Sequence, residues 1–431
     1  MKNKMDFQKS STNNLSSQKT VLDNGITVIT DKANHYKSFA LGIFINAGSR
    51  DDENNKIGTA HFVEHLIFRK SKKFNSKQIA NKFEEYGAYT NAYTTQELTC
   101  FYVRALKPHL RKSINLLCEI VFNPDFQKRE ADIERQIIIE EIKSYEDDIE
   151  ENISDLGDKL IFGEHSLGNP ILGTIDSVKK ILINDLQNFH DKYYNPANIV
   201  FCVVGDIDHE KFCNLISNSV LNLKTNKNYR NKREKPVIDK ARTTTIERHI
   251  KQSHLLLLNQ IPDTNSQEKY PIGVLNTIFG DGMSSRLYQN LRDKYGFAYT
   301  IYSSIQLYSD IGTFSIYAAV DSSKLEFIRN LLANEIQKLE KISEKELKRG
   351  KEQYITGITL DTESLSSRMQ SLAKTEFTNG KIESIELISQ RIHCIEKVDL
   401  LEVAHKYIIN KEFFELSIVP ITKKKNIRQN K

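Results

Sequence analysis

The sequence predicts an α+β protein made of two similar α/β units. Three observations carry that expectation. The chain has 431 residues, too long for one core at roughly 150 residues per domain. Strand-like and helix-like stretches alternate along it. The second half then restarts the pattern of the first: "NIVFCVVGDI" at 198–207 and "FFELSIVP" at 413–420 each close a half, after the similar helix ends "FHDKYY" and "AHKYII". That parallel implies two copies of one unit of about 200 residues.

The elements follow in order. The start, "MKNKMDFQKSSTNNLSSQK", is polar and lacks an apolar h-region. It reads as no secretory signal, and residues 1–19 are expected to form a disordered tail. "TVLDNGITVIT" at 20–30 reads as strand, tight D-N-G turn, strand. "SFALGIFINAGSRDD" at 38–52 is an apolar strand running into a loop, and a helix is expected from near Ile57. "NSKQIANKFEEYG" at 75–87 is a helix with Asn75 or Ser76 at its start and Gly87 at its end. The Thr, Tyr and Val of 88–106 predict two strands, followed by helices at about 107–122 and 128–147. The first unit is thus 20–225. Residues 226–241 are rich in Asn, Lys and Arg without hydrophobic rhythm, and read as a linker. In the second unit, 242–421, "SHLLLLNQI" is a strand and "KYPIGVLNTIFG" a helix. Strands then run through 297–320, with long helices at 322–341 and 343–361. "FGDG" at 279–282 reads as a turn, because no G-K-[ST] follows it. A basic tail, 422–431, ends the chain.

Composition excludes several classes. Lys+Arg exceed Asp+Glu, 61 to 56, and the excess sits in "KTNKNYRNKREK" and the tail. The body is near neutral, which argues against a nucleic-acid surface. Five cysteines at wide spacings, with no C-x-x-C, predict reduced thiols and no disulfide framework. No window approaches 18 apolar residues, so no membrane span is expected. A reducing, cytoplasmic setting follows.

The chemistry-bearing stretch is "GTAHFVEHLIFRKSKKF" at 58–74, which holds His61, Glu64 and His65 in the order H-x-x-E-H. On a helix, positions four apart differ by about 40° after one turn, so both imidazoles share a face. Two nitrogens so placed can reach one ion about 2 Å away. Glu64 flanks that face and can take a proton from a water beside the ion. Catalytic zinc needs a third protein ligand. "ADIERQIIIEEIKSYEDD" at 131–148 is a strongly apolar helix, on which Glu134 and Glu141 are two turns apart on one face. Buried carboxylates are costly unless paired or metal-bound, so at least one is expected to meet the histidine helix. Core histidines and a solvated E-E face are the plain alternatives.

These stretches together resemble the pitrilysin-type (inverzincin, M16) metallopeptidases. The likeness is greatest to the shorter branch that includes mitochondrial processing peptidase β-subunits and their bacterial relatives. "GTAHFVEHLIF" is similar to the family's zinc helix, "GAYTNAYTTQELTCFY" to its following strands, and "ERQIIIEEI" to its distal glutamate motif. "HSLGNPILGT" is similar to a further block, and "FGDGMSSRLYQNLRDKYGFAYTIYS" to the block with an Arg/Tyr pair. The resemblance implies one zinc ion per chain on His61, His65 and Glu141, with Glu64 as general base. It implies that Glu134 orients the site. Glu140, the other candidate ligand, points about 100° from the Glu134 face. Arg292 and Tyr299 are implied to hold substrate backbone and stabilise the oxyanion. An extended peptide is expected to add to a sheet edge near Asn91, Ala92, Tyr93 and Thr94.

The resemblance also implies mainly antiparallel sheets packed with helices, each chain being half of a clam-shell chamber. A second chain is then required: a homodimer, since both motifs occur here, with a heterodimer as the alternative. The expected activity is endopeptidase cleavage of unstructured peptides or presequences. The alternative is a non-catalytic or regulatory subunit of a processing-peptidase-like complex. "FRKSKK" at 68–73 departs from the family's F-K-G-T, and no glycine-rich loop of the processing-peptidase α-type is present. "YEDDIEE" at 145–151 is either an attractor of basic peptides or a solvated helix end.

Overall fold

The computed structural model describes residues 17–223, 232–296 and 298–421. They form two compact units. The first takes the chain up to Glu146, then Asn169–Glu234 and Ile358–Ile385. The second takes Asp147–Gly168, Lys235–Gly357 and the chain from Glu386 on.

Unit 1 is built on six strands: β1 (Ser17–Val21), β2 (Thr27–Lys32), β3 (Ser38–Ile45), β4 (Tyr89–Thr94), β5 (Thr99–Leu106) and β6 (Ile199–Gly205). Their order is β1-β2-β6-β3-β5-β4, antiparallel except for the β2/β6 pair. The D-N-G turn closes the first hairpin with Gly25 at φ +93°, a conformation glycine adopts without steric cost. Unit 2 holds β7 (Thr243–Arg248), β8 (Ser253–Ile261), β9 (Ala298–Leu307), β10 (Gly312–Val320) and β11 (Phe414–Pro420). Their order is β7-β11-β8-β10-β9, again with one parallel pair, β7/β11. Without β1, the first sheet follows the same path. The closing strands read from the sequence, β6 and β11, hold equivalent places, so the fold is the expected α+β duplication of mainly antiparallel sheets.

The chain passes from one unit to the other at Glu234/Lys235, inside the linker expected at 226–241, but two segments are exchanged, Asp147–Gly168 to unit 2 and Ile358–Ile385 to unit 1. β3 and β6 are almost continuous apolar runs, so both sheet faces must be covered. Helices of the first half cover one face, where Phe62, Leu66, Ile114, Leu117 and Ile138 join the main core. The other face is covered by a helix from late in the chain, Leu365–Thr378, through Met369 and Ala373. Arg368 fixes it by a two-pronged bond to buried Asp31, at 2.6 and 2.8 Å. In unit 2 the equivalent cover is the helix Ile149–Phe162, from early in the chain, packed on Leu256, Leu258 and Leu416. A Cβ on its Gly157 would stand 2.5 Å from the Leu256 side chain, so the helix approaches the sheet closely there.

One further expectation is corrected. Ser17–Lys19 belong to β1 and pair with Ile29–Asp31. That strand is an exposed polar edge held by ladder hydrogen bonds, so it lacks the apolar alternation that would mark it. β7, "TTTIER", carried no signal for the same reason. Residues 1–16, part of the expected linker and the basic tail lie outside the described residues. All five cysteines are free thiols, three of them buried. Among the described residues no helix is long and apolar enough to cross a membrane.

Candidate metal centre

The histidine helix spans Thr59–Ile67. Nine residues are marginal as an isolated helix, and burial of Phe62, Val63, Leu66 and Ile67 holds it. Its first turn is satisfied from outside: the Asp52 carboxylate accepts from the N–H of Gly58 at 2.7 Å and of Ala60 at 2.9 Å. The "HSLGNPILGT" block explains itself here. Gly58 has φ +94°, and a Cβ there would meet the Leu172 carbonyl at 2.7 Å; Gly173, at φ +76°, lies equally close to Ile57. Two glycines therefore let the backbones touch where the helix starts.

One turn apart, the rings of His61 and His65 bring their Nε2 atoms to 3.2 Å. Glu141, from the helix Lys128–Asp147, completes the set: its carboxylate oxygens lie 4.0 Å from His61 Nε2 and 3.6 Å from His65 Nε2. All three donor atoms fall within 4.8 Å of one another. Ligands about 2 Å from a tetrahedral ion stand roughly 3.3 Å apart, so two nitrogens and a carboxylate in this arrangement fit zinc. The Glu141 side chain is 44% exposed, which leaves one side of the set open to solvent.

The two carboxylates left open by the residue pattern are separated by the geometry. Glu134, 5% exposed, lies on the far side of His65, with Oε2 3.0 Å from Nδ1. Its other oxygen pairs with Arg69 Nε at 3.1 Å, and Arg69 also reaches Glu130 at 3.2 Å. Glu140 faces solvent and pairs with Lys143 at 2.7 Å. The residue sequence gave no sign of Arg69, which falls in the stretch that departs from F-K-G-T.

Electrostatics differ around the set. Burial, with His65 alongside, pushes His61 down to about 3, so its ring is neutral. Its Nδ1 is buried with no hydrogen-bond partner among the described residues. Burial also pulls on His65, but the bond to Glu134 and the charges of Glu64, Glu141 and Glu134 hold it above the ordinary histidine value. Burial raises Glu64, against the Thr94 hydroxyl, which donates to its Oε2 at 2.6 Å. A carboxyl raised in this way is suited to both accept and return a proton.

Thr94 ends β4, the edge strand of its sheet. Asn91, Ala92, Tyr93 and Thr94 therefore lie along an edge, where the Asn91 side chain accepts from the Ala92 N–H at 2.8 Å. In unit 2, Arg292 sits in a π-helical turn, Tyr288–Asp293, with its guanidinium 4.9 Å from the Tyr288 ring centre. Tyr299, on β9, is 73% exposed. Both line one open cavity of about 410 Å³, with Gln252, Gly296, Ala298 and Asp321. Within the stretch "YEDDIEE", Asp148 caps the helix Ile149–Phe162 by accepting from Glu150 and Glu151 N–H groups.

The chain is similar to known proteins along most of its length. The profile described as Insulinase (Peptidase family M16) matches residues 27–175, and that described as Peptidase M16 inactive domain matches 180–354. An uncharacterized zinc protease of Rickettsia felis is 32% identical over 387 residues, covering 89% of this chain and 93% of its own. The uncharacterized zinc protease YmxG of Bacillus subtilis is 30% identical over 374 residues, covering 86% and 91%. Among solved structures, a protease from Helicobacter pylori shares the fold with TM-score 0.86 at 21% identity, over 95% of this chain and 100% of that one. A peptidase M16 inactive domain from Pseudomonas fluorescens does so with TM-score 0.88 at 22% identity, over 95% and 100%.

Proposed function

The chain belongs to the M16 (insulinase) peptidase family, and on that premise we propose that it is a zinc-dependent endopeptidase acting on unstructured peptides or presequences. The observation that carries this reading is the convergence of His61, His65 and Glu141 beside a raised Glu64. His61, His65 and Glu141 would hold the ion, which supplies Lewis-acid polarisation and an acidified water. Glu64 takes a proton from the attacking water and returns it to the leaving amine, with the Thr94 hydroxyl fixing its carboxylate. Glu134 holds His65 through Nδ1 and so presents Nε2 to the ion. The substrate adds in extended form to the β4 edge, a mode that reads backbone and favours flexible chains.

Arg292 and Tyr299, donors in one cavity, serve substrate backbone and the developing oxyanion. We propose that they do so for the zinc centre of a second copy of this chain, in a homodimeric chamber. The free thiols suit a reducing, cytoplasmic setting. A non-catalytic or regulatory subunit would be expected to lack a ligand or the base, and none is missing here.

The test is metal analysis of the purified chain together with cleavage of a quenched, unstructured peptide. Glu64→Gln should keep zinc and lose activity by roughly a hundredfold to ten-thousandfold. A Glu64→Gln chain that cleaves at the wild-type rate would sink the mechanism.

A further inference from the structure

Arg233 lies far along the chain from the histidine helix, in a stretch whose sequence reads as linker. It is the penultimate residue of unit 1 before the chain passes to unit 2 at Lys235. Its side chain is nonetheless 10% exposed and fully engaged. Nε and Nη2 clasp the two Asp51 oxygens at 3.1 and 2.8 Å. Nη1 donates to the Asn46 side chain at 3.1 Å, and Nη2 to the carbonyls of Asn46 at 3.3 Å and Glu97 at 2.7 Å. One guanidinium thus joins two segments: the loop leaving β3, residues 46–52, and the turn between β4 and β5.

Those two segments are already in backbone contact. The Ser49 N–H donates to the Thr95 carbonyl at 3.1 Å and the Arg50 N–H to the Gln96 carbonyl at 2.8 Å. A Cβ on Gly48 would stand 2.1 Å from Thr95 O. Each segment then leads to the metal centre, one residue on from Arg233-bound Asp51 and three residues back from Arg233-bound Glu97. Asp52, beside Asp51, caps the start of the histidine helix through Gly58 and Ala60. Thr94, beside Thr95, holds Glu64. Arg50, within the first segment, also spans the two, its Nη1 donating to the Glu97 carboxylate at 2.6 Å; Arg233 adds a clasp on both from outside either segment.

We propose that Arg233 is a positioning residue for the metal centre, setting the histidine helix through Asp51–Asp52 and the Glu64 carboxylate through the Thr94–Glu97 turn. This rests on the zinc-peptidase reading for its catalytic consequence. A buried two-pronged arginine–carboxylate pair also contributes to folding, because its loss strands a buried charge. The proposal therefore differs from a simple staple in being local: loosening must concentrate in the two segments and in the chemical step.

The experiment uses the full-length chain as wild type, Arg233→Lys and Arg233→Ala. Lysine keeps the charge but cannot clasp both Asp51 oxygens. Zinc content, thermal unfolding, kcat and KM on a quenched peptide, and amide hydrogen exchange of the metal-free chain are compared. For Arg233→Lys the expected result is a kcat lower by roughly tenfold to a hundredfold, the scale of a misplaced group, with KM within about twofold. Exchange should quicken in 46–52 and 94–98 and stay unchanged in the helices Ser76–Glu84 and Leu110–Phe122. Added guanidinium should restore part of the Arg233→Ala activity where sodium at equal concentration does not. Should Arg233→Ala not fold, Arg233→Lys carries the test. An unchanged kcat in folded Arg233→Lys overturns the proposal. So does exchange that rises evenly through the unit. If the wild type itself binds no zinc or cleaves nothing, the peptidase reading falls, while the exchange pattern still decides whether Arg233 orders these two segments.

Discussion

Glu134 Oε2 stands 3.0 Å from Nδ1 of His65, and its other oxygen stands 3.1 Å from Arg69. His61 has no such support, since its Nδ1 has no partner among the described residues. The two histidines are therefore unequal: at Nδ1 one is oriented by an ion-pair network, while the other has only the packing around that atom.

Removing the network should be felt in zinc affinity first. Glu134→Gln leaves an acceptor for Nδ1 but discharges the partner of Arg69 and weakens the basicity of His65. Zinc affinity is expected to fall about tenfold to a hundredfold, read by competition with a chromophoric chelator. An affinity equal to wild type would remove Glu134 from the site.

The same inequality gives zinc uptake a direction with pH. His61, at about 3, carries no proton to lose near neutrality. His65 is held above 6.5, so at any given pH it is protonated more often than an ordinary histidine. Zinc must displace that proton, so affinity should weaken as pH falls through the raised His65 value. In the metal-free chain the sign is opposite. The raised value stabilises the fold below the ordinary histidine range, and that contribution is lost as pH rises through it. Zinc titration in weak buffer at about pH 6 should release the His65 proton. Glu134→Gln should reduce that release. Equal release from wild type and Glu134→Gln at this pH would contradict the His65 assignment.

Gly58 tests the seating of the histidine helix. At φ +94°, with Leu172 O in the way, Gly58→Ala meets both strain and a clash. A loss of on the order of 2 kcal/mol or more is expected in denaturant unfolding, with weaker zinc binding. Gly87→Ala is the control: φ is +67° but nothing lies within 4 Å of its Cβ. It should lose less stability and leave zinc binding unchanged.

What the sequence made legible was what repeats locally. His61, Glu64 and His65 share a helix face by spacing alone, and the apolar runs of β3, β6 and β8 mark core strands without help. The capped helix was readable at its start, where Asn75 and Gln78 bond reciprocally across one turn, while its last residue, Glu84, falls three short of the Gly87 expected to end it. Long-range pairing was not readable. Asp52 caps a helix six residues ahead across a loop, Arg69 answers Glu130 and Glu134 some sixty residues on, and Arg233 reaches back 182 positions to Asp51. The covering helices 149–162 and 365–378 look like ordinary members of their own halves. Only the demand that both faces of each sheet be buried sends them elsewhere. The residue pattern alone left Glu141 and Glu134 equivalent, since both lie on one face; the family resemblance chose Glu141, and the distances set Glu134 on the far side of His65.

The shared chamber can be tested by mixing chains. Glu64→Gln disables the zinc side of every site that its unit 1 builds. Arg292→Ala disables the cavity that Arg292 lines with Tyr299. If sites are made between two copies, a mixed dimer contains one site with both defects and one with neither. Random association of equal amounts makes half the dimers mixed, so activity should recover to roughly a quarter of wild type in a two-fold assembly. Each variant alone should stay far below that level. Light scattering or native mass measurement must show that mixed dimers have formed. With mixed dimers present, activity no greater than the mean of the two single variants counts against a site shared between copies.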